Sequence, residues 1–420
     1  MAVRFATGLA GIQRFAMAAI NNDARRALLA MEGLTIYEAV GTVASGDPRG
    51  GYAAIIADPV FPDRNQFLMR RSYNSTNSYW YGWKTHIYQF DPANATSNSV
   101  NPNEIVFGFT WQSSIVANGY TPSLAQNIQV VLWDATKASS TSSMAATTAG
   151  HILCWLCANQ YDTDGKTPKW RFFAAQTNPT VPTTDAESDT LPFALDGVQN
   201  HLEFRLNMTD KRCRIWLNGV LCKDFNLPAT VTADQVTRGF GVMLSRSNTL
   251  NNEYMFVQFA NMYMLELDSV HTGQLGPGAR VMEFAPASDT EAQYRRDTAR
   301  FPLGNYQVAA QYYDATTRGM LTAMDAGTHD TYGGLSGIAS QASEIYGVVS
   351  KFNATNLAGG VHTMAARVTY KGMSYTTGSL TLQTTGAFTM GADVSRDPTT
   401  NAKWEVADLA NASTGFQLTS

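Results

Sequence analysis

The sequence predicts an all-β protein: an antiparallel β-sandwich, a second C-terminal β domain, and a short N-terminal helical segment. Three observations lead there. Residues 201–208 (HLEFRLNM) alternate strictly, with Leu202, Phe204, Leu206 and Met208 on one side and Glu203, Arg205 and Asn207 on the other. That is the period of a half-buried strand. Asn218-Gly219 sits between two short apolar runs, the strongest local signal for a type I′ hairpin. Short apolar and aromatic runs then recur between loops rich in Asn, Ser, Thr, Gly and Pro, at the spacing of a sandwich.

From the N-terminus, residues 8–33 carry a helical pattern. Asn22-Asp23 offers an N-cap, Ala24, Ala27, Leu28 and Met31 form an apolar stripe, and Gly33 offers a C-cap. Residues 1–45 therefore read as a helical docking segment. Residues 46–290 read as the sandwich. Strands are expected in FLMRRSY, YWYGWKTHIYQF, NEIVFGFTWQ, NIQVVLWDA, HILCWLC, KWRFFAAQ, the 201–225 hairpin region, GFGVMLS and EYMFVQFANMYMLEL. The Gly-rich stretch 46–51 lacks the Gly-Lys-Ser/Thr ending of a phosphate loop. A two-residue turn at Asn218-Gly219 would pair Leu217 with Val220 and Ile215 with Cys222. Cys213, Ile215, Leu217, Val220 and Cys222 would then share an apolar face, and Arg214, Trp216, Leu221 and Lys223 a wet one. The polar stretch 285–300 reads as a boundary. Residues 300–420 read as a second β domain, with strands in NYQVAAQYYDA, EIYGVVSKFNA, VHTMAARVTYKG and MSYTTGSLTLQT. Residues 402–411 have helical character, anchored by Trp404 and Leu409, before a short final strand over 415–418.

Two family likenesses rest on these passages. The 201–208 strand, the charged turn Thr209-Asp210-Lys211 and the IWLNG hairpin resemble the laminin-G/concanavalin A-like jelly rolls. NMYMLELDSVHTGQLGPGARVMEFAP (residues 261–286) resembles the end of this sandwich in bacteriophage virion proteins, where a final strand leads into an LG…RV…P segment. DPTTNAKWEVADLANASTGFQL (residues 397–418) resembles the C-terminal signature of the same proteins. Together the passages cover most of the chain from about residue 200. The resemblance implies a concanavalin/laminin-G-like jelly roll in a phage virion structural protein: a tail appendage, a fibre or a particle-surface component, assembled in the host cytoplasm. It implies three partners: other virion proteins, copies of the chain in a symmetric oligomer such as a homotrimer, and host-surface glycan. A capsid decoration or cement protein is the structural alternative, and a glycan depolymerase the enzymatic one.

Composition narrows the function classes. Charged residues make up 15% of the chain and the net charge is −4, with Lys and Arg dispersed, so no basic face is expected to take nucleic acid. No apolar run reaches the ~18 residues of a membrane helix, so no insertion is expected. Gln13 and Arg14 interrupt the apolar N-terminus, so synthesis in a cytoplasm without a signal peptide is expected. Cys154 and Cys157 lie three apart in a strand-like run and would point to opposite faces, which suits neither a redox loop nor a zinc loop. Cys213 and Cys222 are diagonal in the inferred hairpin, too far apart for a disulfide. All four cysteines read as reduced.

Catalytic constellations are not legible. A glycosidase needs two carboxylates about 5–9.5 Å apart. Glu266 and Asp268 have strand spacing but fall at a strand exit; Asp185, Glu187 and Asp189 alternate in a loop rich in Pro and Thr. The six histidines are isolated, and Asp162-Thr163-Asp164-Gly165 is only a fragment of a calcium loop. The chain is therefore expected to be non-enzymatic, with no cofactor and no metal. The residues best suited to a ligand are aromatic. In YWYGW, Trp80 would face one side of a strand and Tyr81 and Trp83 the other, and aromatic faces can stack on sugar rings. Trp216, on the polar side of the hairpin, is the further candidate for a sugar or a neighbouring subunit.

Overall fold

The computed structural model describes residues 2–9, 15–19, 34–39, 52–58, 65–71, 80–85, 104–117, 126–133, 152–161, 168–174, 186–187, 199–226, 240–246, 253–267, 274–310, 320–376, 380–382 and 388–420. The strands before the hairpin are β1 (Ala2–Thr7), β2 (Phe15–Ala19), β3 (Leu34–Ala39), β4 (Tyr52–Ala57), β5 (Asn65–Arg71) and β6 (Trp80–Thr85). They continue as β7 (Glu104–Ala117), β8 (Gln126–Trp133), β9 (Ile152–Tyr161), β10 (Pro168–Ala174) and β11 (Ala186–Glu187). Next come β12 (Gln199–Asn207), β13 (Arg212–Leu217), β14 (Val220–Asn226), β15 (Phe240–Arg246) and β16 (Glu253–Glu266). The C-terminal part holds β17 (Ser288–Ala292), helix α1 (Tyr306–Ala309), β18 (His329–Gly333), β19 (Val349–Ala354) and β20 (Thr363–Tyr370). It ends with β21 (Met373–Thr376), β22 (Leu380–Thr381), β23 (Phe388–Asp393), helix α2 (Val406–Leu409) and β24 (Ser413–Leu418). No helix among the described residues is long and apolar enough to cross a membrane.

The protein is an all-β antiparallel sandwich. A nine-stranded sheet runs β14-β13-β12-β7-β16-β5-β4-β2, with β1 also on β16, and a seven-stranded sheet runs β11-β10-β9-β8-β15-β6-β3. One face of the nine-stranded sheet is built from rows of directly opposed apolar residues. Leu217, Leu202 and Phe109 form one row; Ile215, Phe204 and Phe107 the next; Cys213, Leu206 and Ile105 the third. All nine are buried. The Phe107 and Phe204 rings stack with centroids 4.8 Å apart. The alternation read from the sequence thus gives the correct inner face.

The N-terminal segment departs from its helical reading. Phe15–Ala19 is strand β2, paired with β4, and β1 and β3 lie in the two sandwich sheets. Alanines carry no strong preference against a strand when neighbouring backbones offer a ladder, so tertiary pairing overrides the local pattern. The Ala24–Met31 stripe lies outside the described residues. β1 pairs with Met262–Glu266 of β16 on the side where β5 pairs with Met255–Phe259, so one long strand serves both.

The hairpin is type I′ as expected, with φ +50° at Asn218 and +82° at Gly219. Leu217 pairs with Val220, but a bulge at Cys222, between the Trp216–Leu221 and Ile215–Lys223 pairs, sets Ile215 opposite Lys223 rather than Cys222. Val220 keeps its expected place across from Leu217 but lies on the edge strand, where it is 51% exposed. Cys213 and Cys222 are free thiols. Arg212 binds Asp224 through both carboxylate oxygens and Arg214 adds a third contact at 3.3 Å.

A six-stranded sheet (β17-β18-β24-β20-β21, with β22 on β20) and the β19–β23 pair form the C-terminal part. Ser288–Ala292 of the stretch read as a boundary is a strand, β17. Residues 306–309 of the NYQVAAQYYDA stretch, read as strand, form α1. The anchors at the other end are as read: α2 follows Trp404, and Trp404 and Leu409 are each 2% exposed. Trp404 Nε1 donates to Val394 O at 2.8 Å and its ring meets Tyr370 edge-on. β24 is the central strand, passing close to β18 at Gly415, where a Cβ would run into the backbone of Asp330 and Thr331.

Gly415→Ala is therefore expected to force β24 off β18 and to cost about 1–3 kcal/mol, the usual range for overpacking. Chemical denaturation would read it, and an unchanged midpoint would contradict the close approach. The Arg212 hydrogen bonds hold the Asp224 carboxyl below the usual carboxylate range. A depressed folded value means this contribution is present above about pH 4 and is lost as pH falls through the folded value. Asp224→Asn should flatten that part of the acid stability profile.

Candidate functional site

The outer face of the nine-stranded sheet, expected to be wet, is buried around β12. Glu203 is 0% exposed, His201 3% and Arg205 4%. A buried carboxylate needs each oxygen answered. Glu203 Oε1 accepts from Leu275 N at 2.8 Å; Oε2 accepts from Gly276 N at 3.0 Å and from the Tyr263 hydroxyl at 3.1 Å. His201 Nε2 lies 3.5 Å from Oε2 and 3.2 Å from the Tyr263 oxygen. Arg205 pairs with Glu104, which also accepts from Asn207 Nδ2 at 3.2 Å.

Local sequence makes this geometry. Gly108 lies directly across from both Glu203 and Tyr263, and a Cβ there would sit 2.5 Å from the Tyr263 oxygen. The absent side chain is the space through which Tyr263 reaches Glu203. β16 is bulged between Ala260 and Tyr263, with Asn261 at φ +57°. The Asn261 amide donates to Ala279 O and accepts from Val281 N, tying the following segment down over the sheet. Burial, followed by the Glu203 charge, pushes the Tyr263 hydroxyl well above its ordinary value, so it stays a donor. The Glu203, His201 and Tyr263 side chains are all sealed from solvent and fastened to one another.

The C-terminal part meets this face. Val3 N donates to Asp393 Oδ1 at 3.1 Å, Thr7 Oγ1 to Glu283 Oε1 at 3.4 Å, and Lys351 Nζ pairs with Glu283. A Cβ at Gly347 would touch Val3 and Leu265. The Glu203 charge also helps raise the Tyr346 hydroxyl, after burial and Glu344.

A second buried carboxylate, Asp330, organises the C-terminal part. Its Oδ1 accepts from Gln293 N and Tyr294 N at 2.6 and 2.8 Å; its Oδ2 accepts from Asn305 Nδ2 and the Tyr332 hydroxyl at 2.7 and 2.9 Å. Asp289 accepts from Asn305 N and Tyr306 N, fixing the start of α1.

The aromatic candidates separate. Trp216 is 7% exposed and lies directly across from Glu203, so it belongs to the sealed outer face and not to a wet one. A solvent-facing role for it is corrected: cover over β12 and β13 converts the expected polar side into interior. Trp80, Tyr81 and Trp83 lie in β6, where Trp80 pairs with Ala39 and Ser245, Tyr81 with Glu38 and Leu244, and Trp83 with Ile36 and Val242. Tyr79, the Asp162–Gly165 fragment and Asp268 lie outside the described residues. Among the described residues no group of three or more His, Cys, Asp or Glu could hold a metal ion. Glu203 and Asp330 were invisible as a site from sequence. The usable signal is Gly108, which interrupts a strand pattern.

No protein-family model matches the chain, and no curated protein matches it. Solved structures do. A sialidase matches 63% of this chain at 8% identity and TM-score 0.34, the match spanning 19% of that chain. The catalytic domain of a glycoside hydrolase family 131 protein from Coprinopsis cinerea matches 59% of this chain and 87% of its own, at 12% identity and TM-score 0.33. A protein of unknown function with a galectin-like fold from Bacillus subtilis matches 60% of this chain and 96% of its own, at 7% identity and TM-score 0.30. At likeness this low the architecture rests on the strand pairings above.

Tyr263→Phe should leave the Glu203 carboxylate one donor short and cost about 1–3 kcal/mol. Trp216→Ala should cost about 3–5 kcal/mol, as for a buried aromatic. Urea titrations of both variants check this; a Trp216→Ala chain as stable as the parent would return Trp216 to the surface.

Proposed function

We propose that the chain is a non-enzymatic structural protein of a bacteriophage virion, a tail appendage, fibre or particle-surface component assembled in the host cytoplasm from several copies. The observation that carries this reading is where the virion-like passages fall. In the first passage, Asn261 forms the bulge, residues 274–281 the strap over Glu203, and Glu283 the link to the C-terminal part. Residues 397–418 form the Asp397 turn, the Trp404 anchor and the central strand β24. The passages that resemble those proteins thus fall on scaffold. The non-enzymatic reading is supported by Glu203, Asp289 and Asp330, which accept hydrogen bonds from backbone amides and buried side chains and so serve as fasteners. A capsid decoration role fits the same scaffold.

Glycan contact is the second reading. It is favoured by three aromatic residues within four positions of β6, an inner strand of the seven-stranded sheet.

Particles purified from the culture that encodes the chain should contain it at structural stoichiometry by mass spectrometry, and immunogold should label them at the tail or shell. Washed particles free of the chain would end the virion reading. The purified chain should release no reducing ends from host polysaccharide, and release above blank would make it a depolymerase. Saturable glycan binding lost in a folded Trp83→Ala variant would support the glycan reading; unchanged binding in that variant would refute it.

A further inference from the structure

The six-stranded C-terminal sheet has β17 at one edge and, along β20 at the other, β21 followed by the two-residue β22. Sheet edges carry unpaired backbone groups, and proteins blunt them with charges, proline or bulges. β17 has all but the proline: Asp289, Glu291 and a bulge between them. The β14 edge of the larger sheet likewise carries Lys223, Asp224 and a bulge. β21 has none of these. It reads Met-Ser-Tyr-Thr, every residue is exposed, and it pairs with β20 in unbroken register. Met373 is 54% exposed and Tyr375 40%.

The register of this edge is fixed by its hairpin. Lys371 and Gly372 have φ +48° and +76°, a two-residue turn of the I′ kind, so Tyr370 and Met373 form its closing hydrogen-bonded pair. Alternation along an antiparallel ladder then turns the N–H and C=O of Ser374 and Thr376 away from β20. We propose that this edge pairs with the same edge of a second copy, antiparallel about a two-fold axis through Tyr375. In that register Ser374 of each copy faces Thr376 of the other, and all four outward backbone groups of each strand are answered. Tyr375 meets its own symmetry mate, with Met373 of the other copy diagonal to it.

Charge agrees with this occupant. No charged side chain lies on β21, and Lys371 at the hairpin tip is 3.8 Å from its own Asp408, so two copies bring no like charges together. Tyr375 lies opposite Val368, on the core side of the sheet, so pairing extends the apolar layer of Ala366, Val368 and Tyr370 across the axis. Four residues per copy bury less than the roughly 1,000 Å² of a stable interface. The contact is weak between free chains and effective where copies are already held side by side. It concerns the purified chain and stands apart from the particle reading.

Sedimentation velocity of the full chain from about 10 μM to about 1 mM, spanning weak dissociation constants, should show a monomer–dimer equilibrium. Ser374→Pro removes an outward N–H without touching the β20 ladder and should abolish the dimer while the circular dichroism spectrum is kept. Under mild oxidation the Tyr375→Cys chain should cross-link, because facing residues at the axis lie about 4.5 Å apart between Cα atoms, within disulfide range. The Thr376→Cys chain, two positions out of register with its mate, and the parent chain should not. A monomer throughout the range, a Ser374→Pro chain that still dimerises, or equal cross-linking at residues 375 and 376 would overturn the proposal.

Discussion

A carboxylate sealed inside a β-sheet protein must be answered at both oxygens, and the burial of Glu203 sets the terms for much of this structure. Two of its three donors are backbone amides, at Leu275 and Gly276, so the chain leaving the sandwich is obliged to pass over β12. The third, the Tyr263 hydroxyl, reaches it only because residue 108 has no side chain. The bulge at Asn261 sets the register at which Tyr263 falls opposite Gly108, and the Asn261 amide fastens the same strap at Ala279 and Val281. Bulge, glycine, tyrosine and strap answer one buried charge. Removing one partner leaves that charge short, which costs more than the net worth of the bond itself.

The C-terminal part repeats the device. Asp330 also answers both oxygens with backbone and buried side-chain donors, and it too captures a segment with little apolar content of its own. Residues 285–305 hold their course through amides donated to Asp330 and Asp289. Non-directional burial could not define a path for so polar a stretch; directed hydrogen bonds in a dry site can. The two parts are then joined by short polar links between β1 and β23 and between Thr7, Glu283 and Lys351.

What was legible in the sequence follows from this. Period-2 alternation marked β12, and Asn218-Gly219 marked the turn, because both signals are local. Alternation separates two faces but does not say which is wet. Glu203 and Arg205 look like solvent residues until the covering strap and C-terminal part are present, and both lie far along the chain. Trp216 was misplaced for the same reason. The bulge at Cys222 moves Lys223 into the place expected for Cys222, and nothing in the residue types announces it. β17 (Ser-Asp-Thr-Glu-Ala) has no apolar alternation and exists through its ladder to β18. Phe15–Ala19 is strand because β4 offers a partner, against a helical local pattern. By contrast Trp404 and Leu409 were legible as anchors, since large apolar residues in a polar stretch have few other uses.

Covering the outer face has a consequence for recognition. Around β12 the nine-stranded sheet is buried on both sides, so this region offers a partner neither an apolar inner surface nor a polar outer one. Trp80, Tyr81 and Trp83 lie away from it, in β6 of the seven-stranded sheet. The loop after β19 shows how rigid display is achieved: buried Asn356 donates to Gly360 O and accepts from Ala358 N, while Leu357 and Val361 are each 76% exposed. A side chain held out by a fastened loop loses little freedom on contact, so its apolar area counts more fully toward binding than the same area on a loose loop. The buried fasteners and the exposed surfaces are thus two sides of one arrangement. Charges fixed inside keep the backbone in place, and that fixed backbone is what makes the outward-facing apolar residues usable.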